Sequence, residues 1–222
     1  MQKFALLHNG TTQGWQATYL AFHIANRLGA PLLVLIDAHS DKGALTERAT
    51  HVEIGGRAAR VATETRIIKD FSADTLKENI TAVDGLFLPQ RLITDRDTAS
   101  LFLEAFSCPL WVVLRDDDKP NSMAVLVQDP LQDIQLITYA HTLSQRLQRS
   151  LTALIADDRF ESILKLELTK LKWTSLKTVS ASQVNQTLEK LKADLLLLSG
   201  RSISIVKELT VNYVICPNGN DA

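Results

Sequence analysis

Short, almost wholly apolar runs alternate along this chain with longer stretches whose apolar positions recur every three to four residues. The first run, Lys3–His8, fits a buried strand. A polar turn, Asn9-Gly10-Thr11-Thr12, follows it. Trp15, Leu20, Ala21, Ile24, Ala25 and Leu28 then fall at helical spacing, and Gly29 stands just past the helix end, where a left-handed residue is favoured. Pro31–Ile36 is a second apolar strand and completes a strand–helix–strand unit. Such near-continuous Leu/Val/Ile runs suit parallel strands covered on both faces. The pattern goes on to predict a helix from Ala44 to about Ala62, weakened by Gly55-Gly56, and a strand over Thr65–Lys69. A short helix capped by Ser72 carries Leu76 and Ile80. Asp84–Leu88 is a fourth strand, Thr98–Phe106 a helix and Leu110–Leu114 a fifth strand.

After the polar stretch Arg115–Asn121, which reads as a solvated linker, the order recurs. Met123–Val127 is a strand, Leu131–Leu147 a helix, Leu151–Ala156 a strand, Phe160–Lys170 a helix and Leu176–Val179 a weak strand. Ser180-Ala181-Ser182-Gln183 has the form of a capping box opening a helix with Val184, Leu188 and Leu191 on one face. Asp194–Leu198 and Val211–Ile215 are the last two strands. The stretch between them, Ser199–Thr210, is short enough that its helix must be clipped.

The recurrence extends to single residues. Residues 5–36 lie over 124–155 without a gap, at a constant offset of 119, and 10 of the 32 pairs are identical. Among them are Gln13/Gln132, Gln16/Gln135, Arg27/Arg146 and Leu28/Leu147. A tandem duplication is expected, and a site in one half can be checked against the other. The expected architecture is α/β: two tandem five-stranded parallel-sheet domains, residues 1–115 and 122–222, with a linker at 116–121.

Composition narrows the function. At 222 residues with 45% hydrophobic and 22% charged residues, the chain has the make-up of an ordinary globular protein. A net charge of −1 argues against sequence-independent nucleic-acid binding, which requires a basic excess. No apolar run reaches the roughly 18 residues of a membrane span, so no direct membrane insertion is expected. The N-terminus lacks the pattern of a signal peptide. Cys108 and Cys216 each lie beside a Pro, one per half, without redox or metal-ligand spacing, as buried thiols in a reducing compartment would. A cytoplasmic protein is expected.

In open parallel sheets, ligands bind beyond the carboxyl ends of the strands where strand order reverses. If the first and fourth strands are neighbours, His8, Asn9, Gly10 and Thr11 face Pro89, Gln90 and Arg91 in the first half. In the second, Gln128 and Asp129 face Ser199, Gly200, Arg201 and Ser202.

A strand ending in a polar turn, a long helix closing on Arg27-Leu28-Gly29, an apolar strand, a five-strand order and Cys108-Pro109 entering the fifth strand together resemble a universal stress protein domain. The resemblance covers nearly the whole chain, as two tandem domains. ATP-binding members of that family carry Gly-x2-Gly-x9-Gly-Ser/Thr after the fourth strand, where glycines let the backbone approach phosphates. They also carry an acidic residue after the first strand, near adenine and ribose. The first half has Pro89-Gln90-Arg91-Leu92-Ile93-Thr94-Asp95 instead, with no glycine, and His8-Asn9-Gly10 in place of the acid. Its pocket is therefore degenerate. In the second half Asp129 falls where the acid sits, after Gln128, and Ser199-Gly200-Arg201-Ser202 resembles the start of the phosphate loop, but the remaining glycines are absent. No cofactor is expected; ATP or ADP is the one the resemblance leaves open. Gly200 is equally explained as a turn residue needing positive φ, and Arg201 as a solvated loop residue.

Other constellations carry less. Asp37, His39 and Asp41 alternate after the second strand, but no fourth ligand accompanies them, and no metal is expected. His8, His23, His51 and His141 are scattered, neither His23 nor His141 has a Ser or Cys partner at a nucleophile spacing, and no hydrolase elbow, dinucleotide fingerprint or phosphate-binding loop of the Walker type is present. Trp15, Trp111 and Trp173 read as core or interface residues. An enzyme is not expected. The resemblance implies a stress-response or regulatory protein acting through a protein partner or through self-association at fifth-strand edges, with Trp111 and Tyr213 near the seam. Two alternatives stand beside it: an ATP/ADP-binding switch using the second domain, and a soluble sensor module partnering a transporter.

Overall fold

A computed structural model describes residues 2–39, 44–93, 96–114, 121–171, 173 and 175–217. The expected linker falls almost wholly outside these residues, as do Asp41, Thr94 and Asp95. The chain divides into two compact units, Met1–Lys119 and Pro120–Ala222.

The first unit is built on strands β1 (Phe4–His8), β2 (Leu32–Asp37), β3 (Thr63–Ile68), β4 (Gly85–Pro89) and β5 (Leu110–Val113), in the order β3-β2-β1-β4-β5. All neighbours are parallel; Leu6 pairs with Val34 on one side and Phe87 on the other. Strands β1, β4 and β5 are buried along their whole length, so apolar side chains on both faces leave water. Each fully buried Leu or Phe there contributes about 1.5–3 kcal/mol relative to exposure. Helix α1 (Thr12–Leu28) packs on β1 and β4 through Ala17, Leu20, Ala21, Ile24 and Ala25. Gly29 ends it at φ 63°, its N–H returning to Ala25 and Asn26 carbonyls. Helix α2 (Leu45–Ala58) packs on β3 and stops about four residues before the expected end. Arg60 there turns left-handed (φ 58°), and the Val61 N–H returns to the Gly56 carbonyl. The shorter helix frees Thr63 and Glu64 to begin β3. Helices α3 (Ala73–Asn79) and α4 (Arg96–Phe106) complete the unit, and the Ser72 hydroxyl caps α3 by accepting from the Thr75 N–H.

The second unit has strands β6 (Ser122–Val127), β7 (Ser150–Ile155), β8 (Leu176–Thr178), β9 (Leu195–Ser199) and β10 (Asn212–Cys216), in the order β8-β7-β6-β9-β10. These neighbours are also parallel, so each unit places its first strand between its second and fourth. Helix α5 (Ile134–Leu147) starts three residues later than the periodicity predicts. Residues 129–133 form a turn first, with the N–H groups of Gln132 and Asp133 donating to the Asp129 carbonyl. Helix α6 (Glu161–Lys170) and helix α7 (Val184–Leu191) follow. The capping box does not form: the Ser180 hydroxyl meets that of Ser182 at 3.1 Å, and the first position of α7 has no side-chain cap. The last connection is a 3₁₀ helix, Gly200–Glu208, in place of a full α-helix. Cys108 precedes β5, whereas Cys216 closes β10, so the second Cys-Pro pair leaves its strand instead of entering it. No helix among the described residues is long and apolar enough to cross a membrane.

Candidate functional site

In both units the first and fourth strands are neighbours, so the loops beyond their carboxyl ends lie side by side. What those loops do with their side chains differs.

In the first unit His8 is fully buried. Its ring stands edge-on to the Trp15 indole, 4.5 Å between centroids, and neither ring nitrogen has a hydrogen-bond partner. Burial, and secondarily the positive charge of Arg48, push its pKa down to about 4. His8 is thus a core residue and does not line an open pocket. Asn9 is committed as well: its Oδ1 accepts from the Thr11 hydroxyl at 2.7 Å, and the Thr11 hydroxyl accepts from the Gly14 N–H as the cap of α1. Gly10 adopts φ 73°, and a Cβ there would stand 2.8 Å from the Arg48 guanidinium carbon. Gly14 matters for a different reason. A Cβ on it would fall 2.6 Å from His8 Nδ1 and 2.8 Å from Asn9 Oδ1, so only glycine lets both side chains fold back over the helix start. Opposite, Gln90–Leu92 is a single 3₁₀ turn with Arg91 exposed. Among the described residues no hydrogen bond or ion pair joins Gln90 or Arg91 to His8, Asn9 or Gly10.

In the second unit the loops do meet. Arg201 Nη1 donates to Gln132 Oε1, which ties the loop after β9 to the loop after β6. Arg201 is therefore held and not merely solvated. Asp129 Oδ1 accepts from the Leu131 N–H at 3.0 Å, and Asp133, almost fully buried, accepts from the N–H groups of Gln128 (2.9 Å) and Asp129 (3.2 Å) through Oδ2. Gly200 opens the 3₁₀ helix; Gly10 and Gly29 are the glycines at positive φ among the described residues, so the positive-φ role expected of Gly200 is not met. The hydroxyls of Ser199 and Ser202 are buried without hydrogen-bond partners. The loops thus bring Gln132 and Arg201 together, with Asp129 held in the turn after β6 and Ser199 and Ser202 buried on the β9 side. Gln132 and Asp133 escaped sequence reasoning, although both lie in the repeated segment, Gln132 over its identical counterpart Gln13 and Asp133 over Gly14.

Asp37 and His39 are close because the His39 N–H donates to Asp37 Oδ1 within one turn, and the described residues contain no group of three acidic, His or Cys side chains fit for a metal. Trp111 and Trp173 are buried, as is Tyr213, whose hydroxyl burial pushes upward in pKa. Cys108 is buried and its thiol is pushed up to about 12, by burial first and Asp84 second.

No protein-family model matches the chain, and no curated protein matches it. Solved structures do. A universal stress protein from Archaeoglobus fulgidus superposes with a TM-score of 0.72 at 11% identity, covering 99% of this chain and 97% of that one. A putative universal stress protein from Pseudomonas aeruginosa UCBPP-PA14 gives 0.71 at 12% identity over 100% and 95%. A protein of unknown function from Pseudomonas aeruginosa PAO1 gives 0.71 at 12% identity over 100% and 94%.

Proposed function

We propose, for a chain that has the universal stress protein fold over its whole length, a stress-response or regulatory role without catalysis. In this reading it acts through contact with a protein partner or through self-association, and its strand-end pockets have weak or lost nucleotide binding. One observation carries the reading: three of the side chains that would greet a nucleotide are taken up by the protein itself. His8 is packed against Trp15, Asn9 caps its own loop, and Arg201 is held by Gln132. The missing glycines after β4 and β9 add to this, because a phosphate needs close backbone approach and free N–H donors. Thermal-shift and calorimetric titration with ATP, ADP and AMP, with and without magnesium, tests it. No change of melting temperature at millimolar nucleotide is expected, whereas a native-state ligand above its Kd stabilises by mass action.

A second reading keeps a nucleotide switch in the second unit. It draws on the two buried, unpartnered hydroxyls of Ser199 and Ser202, which stand on either side of Arg201 in the chain. That reading requires saturable binding that Asp129→Ala and Gly200→Val abolish.

A further inference from the structure

The face of the first unit made by α1 and α2 carries a groove of about 500 Å³, lined by Trp15, Tyr19, Phe22, His51, Ile54 and Gly55. These residues come from the two helices, not from the loops after β1 and β4. The Trp15 indole is the hub: Tyr19 lies 6.5 Å away at 32°, His51 6.5 Å away at 59°, and Phe22 is buried further along the same helix. Gly55 keeps the far end open, since a Cβ there would press to 2.9 Å from Phe22 Cε2. Tyr19 and Ile54 are 53% and 54% exposed, an unusual placement for two large apolar side chains that face one cleft.

We propose that this groove binds a planar aromatic molecule of one or two rings, stacked on Trp15 between Tyr19 and His51. The volume falls within the roughly 300–1,000 Å³ of small-molecule sites. Aromatic faces gain most from a flat partner in an offset or edge-on arrangement. The His51 ring and the Tyr19 hydroxyl supply a polar edge for orientation. A protein occupant fits less well: two half-exposed apolar residues fall far short of the roughly 20–30 residues a side of a stable interface. The Trp15–Tyr19 pair belongs to this unit. At the repeat-equivalent positions of α5, Trp15 and Tyr19 become Ile134 and Thr138. Both line a smaller open groove of about 360 Å³. The inference stands independently of the nucleotide question.

The test uses the whole chain labelled with 5-fluorotryptophan, whose three indoles give separate fluorine resonances. Trp15→Phe identifies the Trp15 signal. Quinoline, as a neutral probe, and naphthalene-2-sulfonate, as an anionic one, are titrated in turn. The expected result is a saturable shift of the Trp15 resonance while Trp111 and Trp173 stay put, with Kd weakened about tenfold in Tyr19→Ala, in keeping with the loss of one stacking partner. No saturable shift with either probe overturns the proposal, as does a shift that Tyr19→Ala leaves unchanged. A Trp15 shift that depends on protein concentration without probe also overturns it and assigns the face to self-association.

Discussion

The loop after β1 and the loop after β6 occupy the same place in the same strand order, yet they are held together from opposite ends. In the first unit the loop's own residues do the work: Asn9 supports Thr11, Thr11 caps α1, and His8 tucks beneath. In the second unit Asp133, the residue just before α5, reaches back and accepts from two loop N–H groups. The pivot is one position, Gly14 over Asp133 in the repeat. Where the loop's side chains fold inward, the helix residue must shrink to nothing; where they do not, it can carry the carboxylate that organises the loop. One backbone can thus be satisfied by two incompatible sets of side chains, and swapping a single member between them should be costly.

The largest effect is expected from that swap. Gly14→Ala already forces a Cβ against His8 and Asn9 and should lower unfolding free energy by about 3 kcal/mol, read from urea midpoints. The same methyl group would be harmless if His8 and Asn9 pointed outward. Next comes pH. The His8 pKa is lowered in the folded protein, so the unfolded chain binds the proton more readily. Its contribution is fully present above pH 6.5 and is lost as pH falls from 6.5 toward about 4. About 2 kcal/mol should disappear between pH 7.5 and pH 5. His8→Val, which installs the residue found at the equivalent position Val127, should flatten that slope; an unchanged slope would show that His8 is not its source. Asp133→Ala should cost about 1.5 kcal/mol by leaving two loop N–H groups without their carboxylate. The smallest effect concerns the ends of the paired helices. Gly29 and Gln148 both turn left-handed, at φ 63° and 57°. Gln148→Gly should therefore stabilise by about 1 kcal/mol, and Gly29→Gln should destabilise by a similar amount.

Much of the fold was legible because it rests on strong local signals. The apolar runs at Lys3–His8, Pro31–Ile36 and Met123–Val127 had no competing reading, and Gly29 marked a helix end that the structure keeps. Failures came where the deciding partner is remote or ambiguous. The Ser180 hydroxyl could cap a helix or meet another hydroxyl, and it met Ser182. The start of α5 slipped because Asp129 offered its carbonyl to an earlier turn. At the strand ends, the strand order set the expected loops side by side, but side-chain direction decided what they could do. His8 looked like a pocket residue because it ends β1; nothing in its neighbours revealed that Gly14 makes room for it to turn inward. Trp15, read as core or interface, stands half-buried with one side on His8 and another on an open groove.

The two buried thiols turn the protein into its own clock. At a pKa of about 12, Cys108 presents almost no thiolate at neutral pH, and the folded chain shields it from alkylating reagents. Cys216 is likewise buried, in the other unit. Modification must therefore wait for each unit to open, and two alkylation rates, resolved by mass spectrometry, would time the breathing of the two halves separately.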